Sequence, residues 1–287
     1  MRFLRQLGRT CLLVLLVAAG TLALVRYAPG YFSDPREMDA EHAATIRAEI
    51  DARRETDSSS RAMAVRIVQG WLHGQLGTSR QYQVPVGELI RPRLGVTARL
   101  VAGGLAFGWL AAVALAVPLS MRLNSAGEAA IAAGSALLLA IPVGALATIF
   151  LLTNTGGPTL TLGLLLAARD FKFVYRLLRA QWREPHLLFA RAQGMTVKQI
   201  VYHSLLRPLS PQLASLATMS FVMALSLAVP AEVLFDLPGI GQLAWGAAMN
   251  RDLPLLLAVT LLMATAVGLS GLVCPPALTL QEKLEPA

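Results

Sequence analysis

From Ala129 to Ala168 the chain runs for 40 residues without a charged side chain. No soluble fold offers an element for such a run, whereas about 20 apolar residues already span the hydrocarbon core of a bilayer as a helix. Backbone at that depth must satisfy its own hydrogen bonds, which restricts it to helices or closed barrels. The run suffices for two crossings, and Asn154-Thr155-Gly156-Gly157-Pro158 supplies the turn between them. Four further uncharged stretches are Thr10 to Val25, Leu100 to Met121, Pro208 to Ala231 and Leu253 to Gln281. The expected fold is therefore an all-α integral membrane protein with six transmembrane helices. The composition agrees, since only 15% of the 287 residues are charged, against about 25% in soluble domains.

The fourth crossing starts at Pro158 but meets Arg169, Asp170 and Lys172. Charges at that depth face a bundle interior or a water-filled path; the alternative is a span that ends there, tilted, with snorkelling side chains. Short-loop basic residues set orientation. Arg2, Arg5, Arg9, Arg122, Lys283 and the six basic residues from Arg176 to Arg207 fall on one side of the alternation. The opposite side has none in the 153–158 turn and only Arg251 in the 232–252 loop. Both termini are thus expected in the cytoplasm. The N-terminus also has the layout of a cleavable signal peptide, with small residues at Ala18-Ala19-Gly20, but its removal would leave five spans and a less regular alternation.

The net charge of +8 is not a nucleic-acid footprint. Residues 27–95 hold nine Arg and nine Asp plus Glu, so the excess lies beside the apolar runs, where it reports topology. Two cysteines, Cys11 and Cys274, and four scattered histidines give no disulfide framework or metal spacing. The three lysines follow Phe171, Val197 and Glu282, so there is no glycine-lysine phosphate cradle; HExxH and GxSxG are missing too. No pair of carboxylates lies within a span to relay protons. The chain is not expected to be an enzyme, and uphill transport would draw its energy from another subunit.

Three segments divide the chain: 1–29, a first transmembrane helix with a basic N-terminus; 30–94, an extracytoplasmic helical and amphipathic segment; and 95–287, a five-helix core containing a cytoplasmic loop at 180–207. In residues 34–57 alternating charges, with Asp39 placed to cap and Glu49–Arg53 at i,i+4, describe a solvated helix. Residues 65–94 read as a membrane-surface segment. Outside the membrane again, 230–254 carries the Pro238-Gly239-Ile240-Gly241 turn and a short interfacial helix from Gly241 to Met249, anchored by Trp245.

The most unusual stretch is EPHLLFARAQGMTVKQIVYHSLLRP, residues 184–208. Val197, Ile200, Val201 and Leu205 form an apolar stripe at helical spacing, and Gly194 permits a sharp turn before it because glycine tolerates positive φ. By periodicity alone this is a helix lying on lipid headgroups or a helix that docks another protein.

The residues themselves resemble the cytoplasmic coupling motif of binding-protein-dependent ABC importer permeases, with Arg191-Ala192-Gln193-Gly194 in register. The likeness extends to the dipeptide, oligopeptide and nickel branch: LVRYAPG (24–30), GWLHGQLGTSRQYQVPVGELIRPRLGVTARL (70–100), AIPVGALATIFLL (140–152), PTLTL (158–162), RLLRA (176–180) and AEVLFDLPGIGQLAWGAAMNRDLP (231–254) follow its motifs in order. The resemblance implies an inner-membrane permease pairing with a second homologous permease, two ATP-binding cassette subunits that carry ATP and Mg, and an extracytoplasmic solute-binding protein. It assigns Glu184, Ala190, Arg191, Ala192, Gly194 and Ile200 to the coupling helix that sits on the ATPase. Glu232, Pro238, Gly239 and Gly241 become candidates for the outer loop and gate. No cofactor or metal is implied on this chain. The sequence departs from the pattern at Phe189, Gln193 and Pro185-His186, and its turn between spans three and four is shorter than in such permeases. A non-transporting membrane scaffold derived from a permease is the alternative, and an ion-driven carrier is disfavoured by the lack of intramembrane carboxylate pairs.

Overall fold

The computed structural model describes residues 8, 10–17, 19–20, 76–122, 125–182, 189, 193–196, 199–202, 207–250 and 252–273. The charged helix expected over 34–57 and the start of the 65–94 segment lie outside them. Among the described residues every extended element is a helix, apart from one isolated β-bridge between Thr78 and Pro85. In chain order these are α1 (Val86–Arg122), α2 (Ser125–Ala140), α3 (Val143–Thr153), α4 (Pro158–Gln181), α5 (Arg207–Leu234), α6 (Ile240–Met249) and α7 (Leu253–Val273). Residues 10–17 are also helical.

Among the described residues three helices are long and apolar enough to cross a membrane, α1, α5 and α7. The α2–α3 pair makes a fourth crossing if its two halves count as one span. That pair bends by 82° at Ile141-Pro142. Proline removes an N–H from the helical ladder and clashes with the preceding turn, and it drives the residue before it out of the helical region. The break therefore has a local cause that hydropathy does not register. At its far end α3 stops on Asn154 at φ 49°, where the turn was expected, and α4 opens with proline in its first turn, a position that loses nothing by lacking an N–H.

α1 begins at Val86 rather than near Leu100. Its first turns carry Glu88, Arg91, Pro92, Arg93 and Arg99, which hide the helix from a hydropathy reading. At 37 residues it is about 55 Å long, well beyond a hydrocarbon core of about 30 Å. It is continuous across residues 94 and 95.

α4 makes its largest contact with α1. Gly104 and Gly108 make that approach possible, because a Cβ on either would lie 2.8 Å from the Cβ of Leu162 or Leu166 respectively. Small residues four apart let two membrane helices meet at backbone range. α5 packs on both, burying Ala224, Ala228 and Ala231 against Leu100, Val101, Leu162 and Leu166. A second cluster joins Val86 and Ile90 of α1 to Ile240, Leu243 and Ala247 of α6 and Leu255, Ala258 and Val259 of α7. A third, at the other end of α1, gathers Ala116, Val174, Tyr175, Leu178, Ile200, Leu209 and Leu216. Leu110, Leu137 and Leu152 remain exposed on the outside, as lipid-facing residues do when the solvent is itself apolar. On the N-terminal side, the Thr10 hydroxyl donates to the carbonyl of Gly268 at 3.3 Å, setting residues 10–17 against α7.

Candidate functional site

α5 ends and the chain turns back through Phe235-Asp236-Leu237-Pro238-Gly239 into α6. A helix start leaves four backbone N–H groups without helical partners, and here each has one. Gly239 N donates to the carbonyl of Leu237 at 2.7 Å. Ile240 N donates to the Thr97 hydroxyl at 2.8 Å. Gly241 N and Gln242 N donate to Oε2 of Glu232 at 2.6 and 3.1 Å. The other carboxyl oxygen, Oε1, accepts the Thr97 hydroxyl at 2.6 Å. Glu232 is fully buried, so it sits at the positive end of the α6 dipole in a dry setting, the location where a carboxylate is favoured.

The two glycines of the turn are required by this arrangement. A Cβ on Gly239 would lie 2.1 Å from Cδ of Glu232, and one on Gly241 would lie 2.6 Å from the Cα of Val229. Glu232, Gly239 and Gly241 are thus one assembly, with Pro238 in the turn that leads into it.

A second buried carboxylate works alongside. Asp252 precedes α7 and caps it, with Leu255 N donating to Oδ1 at 3.4 Å. Its Oδ2 accepts from the Ser79 hydroxyl and from Gln81 N, the latter at 3.1 Å. Ser79 lies in a tight loop closed by Ser79 N to Val84 O at 2.9 Å and Val86 N to Gly77 O at 3.0 Å. Among the described residues neither Glu232 nor Asp252 makes an ion pair; neutral donors satisfy both. Together they bind the segment before α1, α1 itself, the α5–α6 turn and the start of α7 into one unit. Replacing Asp252 with alanine leaves the Ser79 hydroxyl and Gln81 N without their acceptor. A loss of about 2–3 kcal/mol is expected, since hydrogen bonds to charged groups contribute about 1.5–3 each and are not additive. Protease sensitivity of the 76–86 segment reads this out; unchanged cleavage in D252A would mean that the loop is held by other contacts.

The charged residues of α4 resolve differently. The helix continues past them to Gln181. Asp170 is fully buried, its two carboxyl oxygens each 2.8 Å from the Ser220 hydroxyl of α5, with Arg169 at 3.6 Å. The Arg169 guanidinium also lies 5.7 Å from the Phe173 ring centre, in cation–π range. Asp170 therefore faces the protein interior. Lys172 turns away to a different face.

Of the coupling segment, Gly194 and Ile200 are described, while Glu184, Ala190, Arg191 and Ala192 lie outside the described residues. Gly194 has φ 75°, a conformation that L-residues rarely adopt. Just after it, Thr196 N donates to Oε1 of Gln199 at 2.9 Å and Gln199 N reaches back to the Thr196 hydroxyl at 3.5 Å, the reciprocal capping box that starts a helix. Ile200 is buried in the cluster formed by α1, α4 and α5, so this short helix rests on the bundle end. At that same end Arg179 donates to the Ser120 carbonyl at 3.1 Å and the Trp182 indole N–H to the Ser120 hydroxyl at 3.0 Å.

Thr97, Ser79 and Asp252 were not singled out from sequence, although each sits inside a quoted motif. Polar residues of small size, fixed beside glycine or proline, were the available signal. Thr196-x-x-Gln199 was likewise readable as a capping box.

A family model described as "Binding-protein-dependent transport system inner membrane component" matches residues 104–283. The oligopeptide transport system permease protein OppB of Salmonella typhimurium is 24% identical over 261 residues, covering 84% of each chain. A probable peptide ABC transporter permease protein, y4tP of Sinorhizobium fredii, is 27% identical over 318 residues, covering 96% of each. The nickel import system permease protein NikB of Staphylococcus aureus is 24% identical over 266 residues, covering 85% of this chain and 80% of its own.

Proposed function

Because the chain belongs to the binding-protein-dependent transport system inner membrane component family, as an ABC permease of its peptide and nickel branch, we propose that it forms half of an importer's translocation pathway for peptides or a related small solute. It does so in the inner membrane with six crossings: residues 10–25, α1, the α2–α3 pair, α4, α5 and α7. Both termini and the 180–207 loop face the cytoplasm. A second homologous permease completes the pathway, two ATP-binding subunits dock in the cytoplasm, the 184–207 segment seating in a groove of the ATPase through Ala190, Arg191, Ala192 and Gly194, and a solute-binding protein delivers cargo to the outer face. ATP binding then moves the docked segment and the helices behind it as rigid bodies.

The observation that carries this reading is the outer assembly of Glu232, Thr97, Gly239 and Gly241 at one end of α1, with the Gly194 turn and Ile200 at the other. A permease needs a fixed outer cap and an inner element for its motor, and on this reading the two assemblies supply them.

A permease-derived scaffold is favoured by one observation, that only residues 154–157 separate α3 from α4. Reconstitution of the chain with its partner subunits separates the two. The importer reading expects ATP hydrolysis to rise several-fold with a binding protein loaded with peptide or nickel. Complete assembly with no stimulation by any loaded binding protein would leave the scaffold.

A further inference from the structure

Between α2 and α4 the structure opens a cavity of about 320 Å³, lined by Ile131 and Ala132 on one side and by Lys172, Tyr175, Arg176 and Arg179 on the other. The basic positions 172, 176 and 179 follow at spacings of four and three, so they share one face of α4. Arg179 already donates to the Ser120 carbonyl. Lys172 and Arg176 are different: among the described residues neither makes a hydrogen bond or an ion pair. Among the described side chains no carboxylate lines the cavity. Asp170, two residues from Lys172, is turned the other way and engaged by Ser220 and Arg169.

Arg176 is exposed and Lys172 half-buried at the cavity wall, so both are open to an anion that enters it. Lys172 presents three rotatable donors and Arg176 a planar fork, a combination suited to a tetrahedral oxyanion. The volume equals about ten water molecules at about 30 Å³ each, enough for a phosphate group and part of what it is attached to. We infer that this cavity between α2 and α4 binds an anionic phosphate, held by Lys172 and Arg176. Two sources offer that chemistry, the headgroup of an anionic lipid and a soluble phosphate. The side of the membrane on which the site lies rests on the orientation proposed above; the binding does not.

The test is native mass spectrometry of the full chain in detergent, titrated separately with phosphatidylglycerol, phosphatidylcholine and inorganic phosphate. Phosphatidylglycerol is expected to be retained well above phosphatidylcholine. In K172Q/R176Q the retention falls about thirtyfold, the value for two basic side chains near an anionic surface, and K172R/R176K restores it. A matched loss of charge in R91Q, on the first turns of α1, leaves retention unchanged. Saturation by inorganic phosphate without preference between the two lipids, lost in K172Q/R176Q, assigns the same site to a soluble phosphate. Equal phosphatidylglycerol and phosphatidylcholine retention in the unaltered chain with no phosphate uptake overturns the inference, as does undiminished retention in K172Q/R176Q. The unaltered chain answers the first question even if the double variant fails to fold. A chain that binds phosphate but shows no loaded-binding-protein stimulation of its ATPases sinks the importer reading alone.

Discussion

Replacing Glu232 with alanine is expected to destabilise the chain by about 3–5 kcal/mol, since three donors lose a charged acceptor at about 1.5–3 each, less than additively. The substitution strands Gly241 N, Gln242 N and the Thr97 hydroxyl together, the first and last of them in buried bonds and the second in a partly buried one. Glutamine tests the cause. Its carbonyl oxygen can take the two backbone N–H groups, but its amide can only donate towards Thr97, whose hydroxyl proton then loses its acceptor. The charge at the start of α6 and that one hydrogen bond are lost, for about 2–3 kcal/mol, since a charge at a helix terminus contributes up to about 2 in a partly buried setting and an unpaired buried donor costs about 1–3. Denaturant titration in mixed micelles measures both. If alanine costs no more than glutamine, the hydrogen bonds are not what holds the cap. In uptake assays the alanine variant should also lose transport, because the α5–α6 turn no longer has a fixed position over α1.

The second large effect is expected at Gly194. Its φ of 75° costs an L-residue about 1–2 kcal/mol, and more for a β-branched side chain. No heavy atom lies within 4 Å of a Cβ built there, so valine at this position acts through the backbone and not through a clash. The turn opens, and the Thr196–Gln199 capping box no longer points its helix along the bundle end. On the proposed docking role, lowering the population of this turn by that energy is expected to reduce ATPase-coupled uptake by about five- to thirtyfold, while the chain still inserts in the membrane. Asparagine, which visits the left-handed region more readily, should retain most of the uptake. Equal loss in G194N and G194V would point to the side chain rather than the backbone, and undiminished uptake in G194V would remove Gly194 from the coupling role.

The long uncharged runs were legible because burial in lipid leaves a signal in every residue of a span. The turn at 154–157 was legible for the same reason, being the polar interruption in one such run. Two things escaped. The first four turns of α1 escaped because Arg91, Arg93 and Arg99 are compatible with a helix but not with a hydropathy window. The bend at Ile141-Pro142 escaped because both its arms are apolar, so only the proline marked it.

The residues around the α5–α6 turn were half legible. Glu232, Gly239 and Gly241 stand close together in the chain, and their motif singled them out. Thr97, which completes their network, lies 135 residues from Glu232, and periodicity carries no information across such a distance. The same holds for Ser79 and Asp252, separated by 173. Asp170 showed the opposite limit. Its charge advertised a buried site, but only the packing of α4 on α5 identified Ser220 as the partner.

α1 touches both ends of this molecule. Thr97 near its start is gripped by Glu232 and the first residue of α6, and Ser120 near its finish by Arg179 and Trp182 of the α4 end. The 23 steps from Thr97 to Ser120 rise about 35 Å within one helix that carries Pro118 near its far tip. That makes α1 a connecting rod with a fitting at each tip. On the docking role proposed above, a displacement at the α4 end reaches the α5–α6 turn through the body of α1, and Pro118, which lacks the N–H of a regular helix position, is where that rod is softest.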